Sequence, residues 1–112
     1  GQCRYGDNLA GRFSSYLCKY VKTVDSQSDI YLLSNDIYSY GTHASTYFLS
    51  STRPVTNLPT PIGETQFVSG ETIIANPDRI NELLTWAHAH PGGQLQYQYD
   101  CSRTILVAYR VP

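Results

Sequence analysis

His43, Glu64, Arg79 and His90 follow one another along a chain that holds only three histidines and three glutamates. These are the residue types that cut RNA through its own 2′-hydroxyl. A base takes that proton, an acid protonates the departing 5′-oxygen, and a cation holds the phosphate. Such a site needs no cofactor, and none is expected. Each residue also has a plain structural role: Glu64 and Arg79 as solvated loop charges, His43 in a turn, His90 ending an element before Pro91. Their order is what groups them. A metal site is the weaker alternative. His88-Ala89-His90 would set two imidazoles on one strand face, but no cysteine or carboxylate stands at ligand spacing to complete a set, so no metal is expected. No Gly-x-Ser-x-Gly elbow, phosphate-binding glycine loop or paired-cysteine motif occurs.

The elements that would position these groups must fit within 112 residues, enough for one domain, 1–112, with a core that folds alone. Hydrophobic residues make up 41% and charged ones 15%, which excludes a disordered tail and a coiled coil. A formal charge of −1 excludes a strongly basic nucleic-acid grip. No apolar run reaches the roughly 20 residues that a spanning helix needs, so no membrane partner is expected. Ten tyrosines against three phenylalanines and no methionine suit half-wet strands.

Cysteines stand at positions 3, 18 and 101. One near each end suggests a Cys3–Cys101 staple made in an oxidising compartment, with Cys18 left over. Closing a loop of that length stabilises by about 4–5 kcal/mol in the chain-entropy account. Three reduced, buried thiols are the alternative. A start at Gly1 is what a cleaved secretory signal would leave, as would a trimmed tag, and the expected localisation is secreted.

From Asp7 the pattern is helical, with Leu9, Phe13, Leu17, Tyr20, Val21 and Val24 at three- and four-residue spacing. Strands are expected at 30–33, 37–40, 46–49, 67–70 and 72–74, and a proline-bearing surface loop at 52–63. Leu95, Tyr97 and Tyr99 alternate with Gln94, Gln96 and Gln98, a strand with one face packed and one wet. A closing strand follows at 105–111. Asn76-Pro77-Asp78-Arg79 admits two readings. It can open a helix to His88 with Ile80, Leu83, Leu84 and Ala87 inward, which local rules favour slightly. It can also make a type I turn into a returning strand whose one face carries Leu84, Trp86, His88 and His90. The class is α+β: an N-terminal helix packed on a mostly antiparallel β-sheet.

Several stretches together resemble the guanyl-specific fungal ribonucleases and the ribonuclease-like secreted effectors of powdery mildew fungi. Glu64-Thr-Gln-Phe-Val-Ser-Gly70 is similar to that family's glutamate, hydrophobic strand and Ser-Gly turn. Asn76-Pro-Asp-Arg-Ile80 resembles its Asp-Arg-hydrophobic segment, and His90-Pro-Gly-Gly93 its histidine motif, eleven residues before Cys101. Tyr40-Gly-Thr-His43 is a looser echo of its Tyr-x-His. (Residues 66–70 also fit the Gln-x-Val-x-Gly pattern of cystatin-type inhibitors, but the order of elements around them does not.)

The resemblance implies a ribonuclease-like fold stapled by a long-range disulfide. Glu64 would be the general base, His90 the general acid, Arg79 the phosphate clamp, and His43 with Tyr40 the electrostatic support. It also implies a hairpin, so that residues 76–79 turn between strands. The Tyr-x-His spacing is one residue too long, and the guanine-gripping loop is replaced by Ala44-Ser-Thr-Tyr-Phe48. Misplacement by about 1 Å can cost about 100-fold in rate. The expectation is therefore a secreted fungal effector, a pseudoenzyme acting as a virulence factor of a plant pathogen. It would be a monomer that binds a host protein such as a plant intracellular immune receptor, or RNA weakly. An active guanyl-specific endoribonuclease is one alternative. A glycan-binding B subunit of a bacterial toxin, with strands, a helix at 80–89, then two strands, is the other.

Overall fold

The computed structural model describes residues 9–38, 53–63 and 65–112. In chain order they form α1 (Leu9–Thr23), β1 (Ile30–Leu33), β2 (Thr56–Leu58), β3 (Thr72–Ala75), α2 (Ile80–Ala89), β4 (Gln94–Asp100) and β5 (Arg103–Arg110). Helix α1 follows the spacing expected for it. Phe13, Leu17 and Val21 recur every four residues and are sealed against Ile30, Leu32, Ile74, Leu106 and Ala108. Each such side chain contributes about 1.5–3 kcal/mol on burial.

The five strands make one sheet in the order β2-β1-β3-β5-β4. Strand β1 pairs parallel with both β2 and β3, whereas β5 pairs antiparallel with β3 and β4. The α+β class stands, but the sheet is mixed, its parallel half unannounced by local patterning. Alternate residues of β3 and β5 point to opposite faces. Ile74, Leu106 and Ala108 meet α1, while Ile73, Ala75, Val107 and Tyr109 meet Leu83, Trp86 and Ala87 of α2. With a helix on each face, β3 is buried at every position, which is why Thr72-Ile-Ile-Ala75 reads as a continuous apolar run rather than an alternation.

Several expectations are corrected. Residues 76–79 do turn, closed by the Arg79 N–H on the Asn76 carbonyl at 3.0 Å, but the turn opens α2 instead of a strand. The Asn76 side chain accepts the N–H groups of Asp78 and Arg79 and donates to the Leu33 carbonyl, at 2.7, 3.1 and 2.9 Å. Leu83 and Ala87, four apart, are buried beside Trp86, while His88 and His90 lie exposed. That is a helical period, not the two-residue alternation of a returning strand. Residues 37 and 38 bend because the Asn35 side-chain oxygen accepts both of their N–H groups, at 3.0 and 2.8 Å, which removes the donors a ladder needs. Ile37 is left exposed, and Tyr38 turns into the core, edge-on to Phe13 at 5.2 Å. Residues 67–70 are irregular. Glu71 donates its N–H to the Val68 carbonyl while its side chain accepts the Val68 N–H, and Gly70 takes φ +89°. The stretch read as loop at 52–63 contains β2. Expected strand residues 39, 40 and 46–49 lie outside the described residues.

Strand β4 has no packed face. Leu95, Tyr97 and Tyr99 are all exposed, the two rings stacked at 6.4 Å. It is an edge strand, and α2 covers β3 and β5 beside it. Its opposite face is tied to α1 by polar contacts: Arg12 with Asp100 at 2.8 Å, and the Tyr20 hydroxyl on Gln96 at 2.6 Å. The Tyr16 hydroxyl also donates to Asp100, and burial first, then that carboxylate, push its pKa above the ordinary phenol value. Cys18 is buried in the core beside Leu17. It is thus a packed residue rather than a spare one, and replacing it by serine would bury a hydroxyl.

Candidate functional site

Of the four residues grouped by chemistry, His43 and Glu64 lie outside the described residues, as do Tyr40, residues 44–48 and Cys3. Arg79 and His90 bracket α2, one before its first residue and one after its last. Eleven residues at 1.5 Å each put their backbones about 16 Å apart. The fold does not bring these two together.

Arg79 is buried, and all five N–H donors of its guanidinium are engaged. Nε and Nη2 grip the two carboxylate oxygens of Glu82 at 2.9 and 2.6 Å. Nη1 donates to the Ser34 carbonyl at 3.0 Å and to that of Leu58, and Nη2 donates to Thr60 at 2.7 Å. These carbonyls sit where β1 and β2 end, so Arg79 ties the start of α2 to the ends of two parallel strands. Glu82 in turn accepts the Ile62 N–H at 2.6 Å. The hydrogen bonds from Arg79, with that N–H, hold the Glu82 carboxyl below its ordinary pKa, against burial that acts the other way. A carboxylate of lowered folded pKa adds stability that is present above its unfolded value, about 4.3, and lost as pH falls below it. Urea midpoints are expected to drop between pH 5 and 3. Glu82→Gln, less stable at neutral pH, should show a shallower drop. An unchanged slope in that variant would place the acid sensitivity elsewhere.

His90 caps the other end of α2. Its N–H donates to Ala87, and its Nδ1–H donates to the Trp86 carbonyl at 2.8 Å. The imidazole stacks on Trp86 with ring centres 3.9 Å apart. Phe67 and Tyr109 meet the same indole edge-on at 5.3 and 5.9 Å. The Phe67, Trp86 and His90 rings form one wall of a cleft of about 540 Å³, completed by Gln66, Pro91, Val111 and Pro112. Gly63 and Thr65, the chain neighbours of Glu64, line it too. The sequence reading passed over Trp86 as a site residue. The signal was available: Trp86 and His90 stand four apart, which makes them neighbours once 80–89 is a helix and separates them on the strand reading.

The described lining of this cleft carries no Lys, Arg, Asp or Glu side chain. Among the described residues no group of three His, Cys, Asp or Glu is placed to hold a metal, and no helix is long and apolar enough to cross a membrane. The fold and cleft together define a small α+β domain, a mixed sheet between two helices with an aromatic cleft at one helix end. No protein-family model, curated protein or solved structure matches the chain.

Proposed function

We propose that this chain is a secreted, effector-type domain that acts by binding and has no nuclease activity. The observation that carries the reading is Arg79. The residue expected to clamp the phosphate is consumed by carbonyls and Glu82, at the far end of α2 from His90. Phosphodiester cleavage needs positive charge beside the acid and base, and the described wall around His90 supplies none.

A ribonuclease-like ancestry, stapled by Cys3–Cys101, belongs to the same proposal. Helix α1 ahead of the sheet supports it, and α2 in place of a hairpin counts against it. Cys18 is sealed in the core, and Cys3 and Cys101, near the two ends of the domain, are the pair suited to a bridge. A host protein, such as a plant immune receptor, is the proposed partner. One observation favours the active endoribonuclease as a second reading: the neighbours of Glu64 line the same cleft as His90. The toxin-subunit plan gains its helix at 80–89, but a closed barrel must join its edges, and among the described strands β2 and β4 end an open sheet.

Purified oxidised protein is expected not to cleave single-stranded RNA above background, and to yield a Cys3–Cys101 peptide on disulfide mapping. Guanosine-specific cuts that vanish in both Glu64→Ala and His90→Ala would establish the nuclease instead.

A further inference from the structure

The cleft at the end of α2 contains a group that internal packing leaves unsatisfied. Trp86 is 6% exposed, yet its indole Nε1–H has no hydrogen-bond partner. Buried tryptophans usually find an acceptor, and an orphaned donor costs about 1–3 kcal/mol. Trp86 also lines a second cavity, of about 490 Å³, which shares Gly63 and His90 with the first and continues along α2 past Thr85 and Ala89. The indole therefore stands where two adjoining hollows meet.

We propose that this trough docks a neutral, proline-rich peptide segment of a partner protein, one of whose backbone carbonyls accepts the Trp86 Nε1–H. The proposal rests on the binding reading above and names its partner chemistry. The described lining of the first hollow has no charged side chain, and the one in the second, Glu82, is already paired with Arg79, so the trough complements a neutral chain and offers a phosphate nothing to neutralise it. Phe67, Pro91 and Pro112 give apolar walls with few acceptors. A proline segment suits them because it brings carbonyls at regular spacing and no N–H groups that would need partners. It is also extended before it binds, so little conformational freedom is lost. A sugar would need an open ring face, and the Trp86 face is occupied by His90 at 3.9 Å. Nε1 is itself sealed from solvent, so its engagement requires the groups over it to give way locally.

Trp86 is the chain's single tryptophan, so its fluorescence and its indole ¹H–¹⁵N resonance report on this site alone. The probe is acetyl-octaproline amide, titrated to millimolar concentration. A saturable downfield shift of the indole proton is expected. Trp86→Phe, followed by backbone amide shifts, should weaken binding about threefold to tenfold, the net effect of one hydrogen bond. Because that residue is buried, the exposed rim variant Gln66→Arg is the control for folding. It should obstruct the cleft and abolish the shift with an unchanged melting temperature. The proposal fails if the indole resonance stays still at millimolar peptide, if both variants bind like the parent, or if chitotriose or guanosine monophosphate moves the resonance and the peptide does not. RNA cleavage judges the reading beneath it separately. A protein that cuts RNA and also binds the peptide would lose the first proposal and keep this one.

Discussion

Arg79→Ala should lower the stability of the folded chain by about 3–5 kcal/mol, the cost of removing one partner of a buried, hydrogen-bonded ion pair. Domains of this size are stable by about 5–15 kcal/mol in total, so the urea midpoint should fall by about a fifth or more. The loss has named parts. Glu82 would keep only the Ile62 N–H, and the carbonyls of Ser34, Leu58 and Thr60 would lose a charged donor each. An acid at Glu82 in the first turn of α2 is favourable on its own, which offsets a little. Arg79→Lys should recover less than half of the loss, because a single ammonium cannot reproduce a fork that reaches carboxylate and three carbonyls at once. A phosphate clamp behaves in the opposite way: exposed, underemployed in the free protein, and removable with little effect on folding. An alanine variant as stable as the parent would return Arg79 to that role and undo the main argument against nuclease chemistry.

Helix α1 and strands β1 and β3 were legible because each is specified by its own residues. The four-residue recurrence of Phe13, Leu17 and Val21 leaves one face for the core, and the short, largely apolar runs have nowhere to go but a sheet. Helix α2 was harder. Asn76-Pro77 suits a turn and, slightly better, a helix start, and it performs both functions. Beyond it, Leu84, Trp86, His88 and His90 imitate a strand's alternation, and a resemblance to hairpin-bearing proteins then tipped the choice. The pair that argued for a helix, Arg79 with Glu82 three residues on, is visible only if the helix is assumed. Strand β4 shows a different limit. Alternation of Leu and Tyr with Gln says that its two faces differ, but not whether anything covers either one. The work of Arg79 left no trace in spacing at all, because three of its partners are backbone carbonyls contributed by residues 34, 58 and 60, whose side chains are irrelevant to the contact.

Gly93→Ala should be comparably damaging, at about 3 kcal/mol or more, for a reason that is steric rather than electrostatic. A Cβ at this position would lie 2.2 Å from the Arg110 carbonyl oxygen and 2.4 Å from the Tyr109 ring. Both sit on β5, whose backbone is held by strands on either side, so neither can retreat cheaply. Overpacking a tight site commonly costs about 1–3 kcal/mol. Here a hydrogen-bond chain is lost as well: the Gly93 N–H donates to the Tyr109 hydroxyl at 3.0 Å, and that hydroxyl donates to the His90 carbonyl. Gly92 makes a separate demand, since its φ of +107° suits a residue without a side chain. The pair that reads in sequence as part of a histidine motif is therefore what lets β4 approach β5 while Tyr109 holds the end of α2. Because His90 forms part of the cleft wall, Gly93→Ala should also disturb its stack on Trp86 and change the indole emission in the folded protein. Tyr109→Phe isolates the hydrogen bonds from the steric term and should cost about 1–2 kcal/mol. If Gly93→Ala were milder than Tyr109→Phe by urea unfolding, the close approach at this corner would not be what the domain depends on.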